Sequence, residues 1–194
     1  MLKRFHSKLK RPMIVIQPGE YYVTNKDEVI ATVLGSCISV CLKDEANGIG
    51  GMNHFMLPGD FRSSAMLSSP NARYGMYAME LVIGDIIKMG GDRRYLTAKF
   101  FGGGHVLTSL PETENAVPKA NIEFVEAFLS MEGIKVLKSD VGGNHGRKLL
   151  YLPASGKAFL KRLIPSADHE VAAIESKYKS TLKRESQEED VTLF

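Results

Sequence analysis

From Met13 onward the chain sets short apolar runs, rich in valine and isoleucine, between polar turns: "MIVIQ", "EYYVT", "VIATVL", "ISVCLKD" and "GIGGMNHFML", broken by "PGE", "NKDE" and "DEANG". Runs of this length bounded by Gly, Pro, Asn and Asp predict successive β-strands joined by turns. The period then changes. In "NARYGMYAMELVIGDIIKMGGD", Tyr74, Tyr77, Leu81, Ile83, Ile86 and Ile87 fall near helical spacing and stop at Gly90 and Gly91, a glycine C-terminal signal. A second helix is predicted over "PKANIEFVEAFLSMEG", with Phe124, Val125, Phe128 and Leu129 on one face. Between the helices "YLTAKFFGGG" reads as a buried strand closed by a glycine turn, and "GRKLLYLPASGKAFLKRL" as a hairpin over "PASG".

The remaining segments are polar. "DFRSSAMLSSPNARYG" is expected to be a loop. Residues 1–12, with Lys3, Arg4, Lys8, Lys10 and Arg11, are read as a basic arm, 13–165 as one domain, and 166–194 as a charged tail. Within that tail 168–184 is expected to be a short amphipathic helix and the acidic end disordered. A chain of 194 residues with 44% hydrophobic content supports one core. Its net charge of +3 is dispersed and gives no nucleic-acid-binding face, and no apolar run approaches a membrane span. The basic start carries too short an apolar block for an export signal, so a cytoplasmic protein with reduced thiols is expected.

Those two thiols differ in setting. Cys37 follows Gly35 and Ser36 at an apparent strand boundary, where a strand built only for packing gains nothing from glycine. An accessible thiol there, with the backbone N–H groups of Ser36 and Cys37 free to hold an oxyanion, suits a nucleophile; the competing reading is a small buried hydrophobe. Cys41 lies inside the following strand and reads as core, roughly 13 Å from Cys37 along an extended chain and beyond the ~7 Å limit for a disulfide. His54, in "GGMNHFM", can serve as the base that a thiol needs, or can be a core histidine satisfied by a carbonyl. His105 and His145 read as loop histidines. "FGGGHVLTS" and "DVGGNHGRK" match neither phosphate-loop pattern and read as turns. A metal site from Cys37, His54 and His105 or His145 lacks any supporting spacing.

Taken together, "GEYYVTNKDEVIATVLGSCISVCLKDEANGIGGMNHFMLP", "KFFGGGHVL", "NIEFVEAFLSMEGIKVLKSDVGGNHGRKLLY" and "SGKAFLKRL" resemble the CheD family, the chemoreceptor glutamine deamidases, over roughly residues 17–163. The resemblance implies an α/β (α+β) layered sandwich with a β-rich core flanked by two or three helices, related to deamidating toxins. It implies a cysteine amidohydrolase that converts glutamines on the helical cytoplasmic region of chemoreceptors to glutamate through a thioester, with no metal or organic cofactor. It also implies a second role, as a binding partner of CheC-type phosphatases. Cys37 matches the family's nucleophile and His54 its base. The family's third catalytic residue is a threonine six positions before the cysteine, where this chain has Ala31, with Thr32 one residue closer. Strict strand alternation turns Thr32 away from Cys37, so a role for Thr32 requires a bulge or register shift; otherwise a carbonyl or the Ser39 hydroxyl holds His54.

Overall fold

The computed structural model describes residues 1–57, 70–106, 116–163, 171 and 173–182. Ten strands form two five-stranded sheets. The first sheet runs β1 (Leu2–His6), β2 (Arg11–Val15), β4 (Val29–Leu34), β9 (Arg147–Leu152), β10 (Lys157–Arg162). The second runs β3 (Tyr21–Thr24), β6 (Ile49–Asn53), β5 (Ile38–Asp44), β7 (Leu96–Gly102), β8 (Lys135–Val141). Pairing is antiparallel except at β2 with β4 and at β7 with β8. Helices α1 (Pro70–Lys88) and α2 (Ala116–Met131) cover the outer face of the second sheet, and α3 (173–182) lies at the end of the chain.

The alternation of β5 produces this layering. Ile38, Val40 and Leu42 join Val82, Ile83, Phe124 and Phe128 in the core between the second sheet and the helices. Cys41 belongs to the core between the two sheets, with Ile14, Ile30, Met52, Phe101, Leu149 and Tyr151. Successive side chains of a strand face opposite ways, so one strand serves both cores. Tyr151 ties the sheets further by donating its hydroxyl hydrogen to the Leu42 carbonyl at 3.0 Å. The result is a helix, sheet, sheet sandwich, the layered α+β class expected.

Two boundaries differ from the expected ones. Residues 2–6 form the edge strand β1, paired with β2 in continuous register, so the basic stretch is part of a sheet although largely exposed. Its charges line an edge, where they discourage pairing with other chains. Near the other end, α3 packs its Leu182 into the core between the sheets, so this part of the charged tail is bound to the domain. The loop expected over 60–75 lies outside the described residues up to 69 and is helical from Pro70, where α1 begins, and the acidic end also lies outside the described residues.

Candidate active site

Leu34 ends β4 in the first sheet and Ile38 begins β5 in the second. Gly35, Ser36 and Cys37 are therefore the crossing between sheets, and all three carbonyls of this crossing are held. Gly104 N donates to Gly35 O at 2.6 Å, Asn121 Nδ2 to Ser36 O at 2.9 Å, and Gly103 N to Cys37 O at 2.7 Å. The "GGG" turn works here by close approach: Gly102 has φ 121°, and a Cβ on it would lie 2.2 Å from Cys37 O. Only glycine fits. The loop that follows β8 is pinned by buried Arg147, which donates to Asp140 Oδ1 at 2.8 Å and Gly142 O at 2.7 Å.

With the carbonyls tied back, the three N–H groups converge on the opposite side. They hold the Glu175 carboxylate from α3: Oε1 accepts from Gly35 N and Cys37 N, each at 2.9 Å, and Oε2 from Ser36 N at 2.8 Å and Ser36 Oγ at 2.6 Å. The donors expected to stand free at Ser36 and Cys37 are thus occupied. Gly35 also acquires its reason, since a Cβ there would lie 2.8 Å from Glu175 Oε2.

His54 follows β6 and is buried, with its backbone anchored by His54 N to Glu20 O at 2.9 Å and Gly19 N to His54 O at 2.7 Å. Its Nδ1 lies 2.7 Å from Thr32 Oγ1, which in turn donates to Ile16 O at 2.9 Å. A hydroxyl has one hydrogen to give. Because Thr32 gives it to Ile16, its oxygen accepts from Nδ1–H, and the imidazole lone pair is left on Nε2. That atom is buried and has no hydrogen-bond partner among the described residues. The bulge required by strand alternation is not what brings Thr32 here: β4 pairs with β9 in unbroken register from Ile30 to Leu34. Alternation counted back from Cys37 fails because Cys37 lies outside β4, beyond the crossing. Ser39 is engaged elsewhere, donating to Asn53 O at 2.5 Å.

Cys37 Sγ, a His54 ring nitrogen and a Glu175 carboxylate oxygen lie within 4.8 Å of one another. His105 and His145 are not part of this group. The Glu175 oxygens each accept two hydrogen bonds already, which leaves them poorly placed as metal ligands. Cys37 is fully buried rather than accessible, and its thiol is pushed well up, first by burial and then by the charge and hydrogen bonding of Glu175. Burial lowers His54 from 6.5 to about 3. The resting pair is therefore thiol and neutral imidazole. Cys41 is also buried, both cysteines are free, and burial raises Cys41 as well.

Sequence reasoning missed Asn121 and Glu175. Asn121 was readable as a lone polar residue on the apolar face of α2. Glu175 was readable as an acid within the apolar stripe Val171, Tyr178, Leu182, but its partners are about 140 positions away in sequence.

The family model described as CheD chemotactic sensory transduction matches residues 56–162. The chain is 46% identical over 185 residues to a protein of Hahella chejuensis named "Probable chemoreceptor glutamine deamidase CheD", covering 95% of this chain and 86% of that one. A protein of the same name from Saccharophagus degradans is 44% identical over 185 residues, covering 93% and 84%. Among solved structures, a DUF152-family protein of Neisseria meningitidis matches with TM-score 0.45 at 10% identity, covering 75% of this chain and 77% of that one.

Proposed function

Because the chain belongs to the CheD family, we propose that it is a protein-glutamine deamidase acting on chemoreceptor helices, with Cys37 as nucleophile, His54 as base and Thr32 as the residue that orients His54. The observation that carries this reading is the convergence of a thiol, an imidazole nitrogen without a partner among the described residues, and three backbone N–H groups that hold a carboxylate oxygen pair.

Substrate glutamine enters with its carbonyl oxygen on the N–H groups of Gly35, Ser36 and Cys37. The Cys37 proton passes to His54 Nε2 as the sulfur attacks the amide carbon, and the oxyanion forms against donors already in place. The C–N bond breaks, the His54 proton goes to the departing nitrogen, and ammonia leaves a thioester. Water then gives a proton to His54 and attacks the thioester carbon. The C–S bond breaks, the sulfur regains its proton from His54, and the product is glutamate. Burial disfavours a standing thiolate-imidazolium pair, so ionisation belongs to the step in which the oxyanion is neutralised by the nest.

The test is ammonia release from a purified receptor cytoplasmic fragment. Release by the native protein and none by Cys37→Ala supports the reading. Tight binding to the fragment without ammonia from either would favour a binding role instead.

A further inference from the structure

The N–H groups assigned to the oxyanion already hold a side chain of the same chemical kind as the product. Glu175 is a glutamate carried on a helix, buried, with an oxygen within 4.8 Å of both the Cys37 sulfur and a His54 nitrogen. Deamidation of a glutamine on a receptor helix would leave this same group in this same nest. A carboxylate buried beside a thiol is costly unless its hydrogen bonds are met, and here the four donors of the nest meet them.

The rest of α3 is seated as a helical ligand would be. Val171, Glu175 and Leu182 are buried and Tyr178 is half-buried, while Ala173, Ile174, Ser176 and Lys177 face solvent. Spacings of four, three and four put the buried residues on one helical face. Two glycines make room for that face. A Cβ on Gly35 would lie 3.1 Å from Val171 Cγ1, besides its clash with Glu175, and a Cβ on Gly19 would lie 2.8 Å from the Tyr178 hydroxyl. That hydroxyl meets the Tyr74 hydroxyl of α1.

We propose that the floor under α3 is the docking surface for the substrate helix, and that α3 occupies it as a built-in copy of the product, with Glu175 standing where the converted glutamine's carboxylate stands. The proposal rests on the deamidase reading and adds to it the substrate's pattern: a target glutamine with apolar side chains four residues before it and three and seven after it, as Val171, Tyr178 and Leu182 flank Glu175. Since one floor cannot hold two helices, α3 leaves before a receptor helix binds, and the resting protein is self-inhibited.

The full-length Glu175→Gln variant turns the copy of the product into a copy of the substrate. Cys37 then attacks the introduced amide in its own chain, ammonia leaves, water opens the thioester, and position 175 reads as acid. Mass mapping of the tryptic fragment ending at Lys177 should find acid in Glu175→Gln and amide in the Cys37→Ala, Glu175→Gln double variant. Persistence of the amide in the folded single variant, when the native protein deamidates receptors, overturns the proposal. A second readout does not depend on catalysis: in Glu175→Ala, iodoacetamide should alkylate Cys37 about tenfold or more faster than in the native protein, with Cys41 unchanged. Equal Cys37 rates overturn the proposal even if receptors are deamidated. Faster alkylation with no receptor deamidation by either protein would leave the self-occupied surface standing and remove the enzymatic reading instead.

Discussion

Thr32 Oγ1 lies 2.7 Å from His54 Nδ1 and donates to the Ile16 carbonyl at 2.9 Å, so a residue of one sheet sets the tautomer of a histidine carried by the other. Thr32→Val keeps the shape and leaves Nδ1–H buried without an acceptor. Turnover on a receptor fragment should fall on the order of 10- to 1000-fold with KM nearly unchanged, and Thr32→Ser should retain most activity. A fully active Thr32→Val protein would show that His54 is held by something else.

The two cysteines should separate cleanly. Cys37→Ala is expected to abolish deamidation in a protein that still folds, at a stability cost similar to that of Cys41→Ala, since both sulfurs are buried in the same core. Cys41→Ala opens a gap in the core between the sheets and should cost about 1 kcal/mol with activity largely kept. Denaturant melts paired with ammonia assays check both, and equal loss of activity in two equally folded variants would show that the nucleophile was misassigned.

Protonation of His54 is linked to folding. Its pKa is lowered from 6.5 to about 3 in the folded protein, so the unfolded chain takes up the proton first as pH falls. The stability associated with a neutral His54 is fully present above 6.5 and is lost progressively as pH drops toward 3. Between about pH 6.5 and 5 the native protein should lose up to about 2 kcal/mol more than His54→Gln, measured by denaturant unfolding at each pH. Parallel pH dependence in the two proteins would contradict a buried, neutral imidazole.

Asn121 holds the crossing from behind: Nδ2 donates to Ser36 O and Oδ1 accepts from Leu57 N, each at 2.9 Å. Asn121→Ala leaves the buried Leu57 N–H and the half-buried Ser36 carbonyl unpaired and should cost about 2 kcal/mol, with turnover lowered about tenfold or more because the Ser36 N–H loses its aim. Asn121→Asp keeps the acceptor for Leu57 N–H but loses the donor to Ser36 O. Activity equal to the native protein's in both variants would show that the crossing holds its own shape.

Much of the layered fold was legible because its signals are local: short apolar runs such as "VIATVL" and "ISVCLKD" bounded by turns, helical spacing before Gly90, and the hairpin over "PASG". Cys37 and His54 stood out in glycine-rich settings, each readable as chemistry or as a buried core residue, and the fold brings the sulfur and a ring nitrogen within 4.8 Å. What stayed hidden depends on contacts between distant residues. Gly35 announces a strand boundary but not that the chain changes sheets there, so strand parity counted through it misjudged Thr32. The donors of the crossing are filled from α3 by a glutamate whose partners lie about 140 positions away in sequence.

Conversion of receptor glutamine to glutamate by Cys37 is tested most directly by peptide mapping of a chemoreceptor co-expressed with the native protein or with Cys37→Ala. Expected are an amide exchanged for an acid at particular helical glutamines with the native protein, and unchanged amides with Cys37→Ala. Receptor glutamines that stay amidated in both cells, or are converted equally in both, would contradict that role of Cys37.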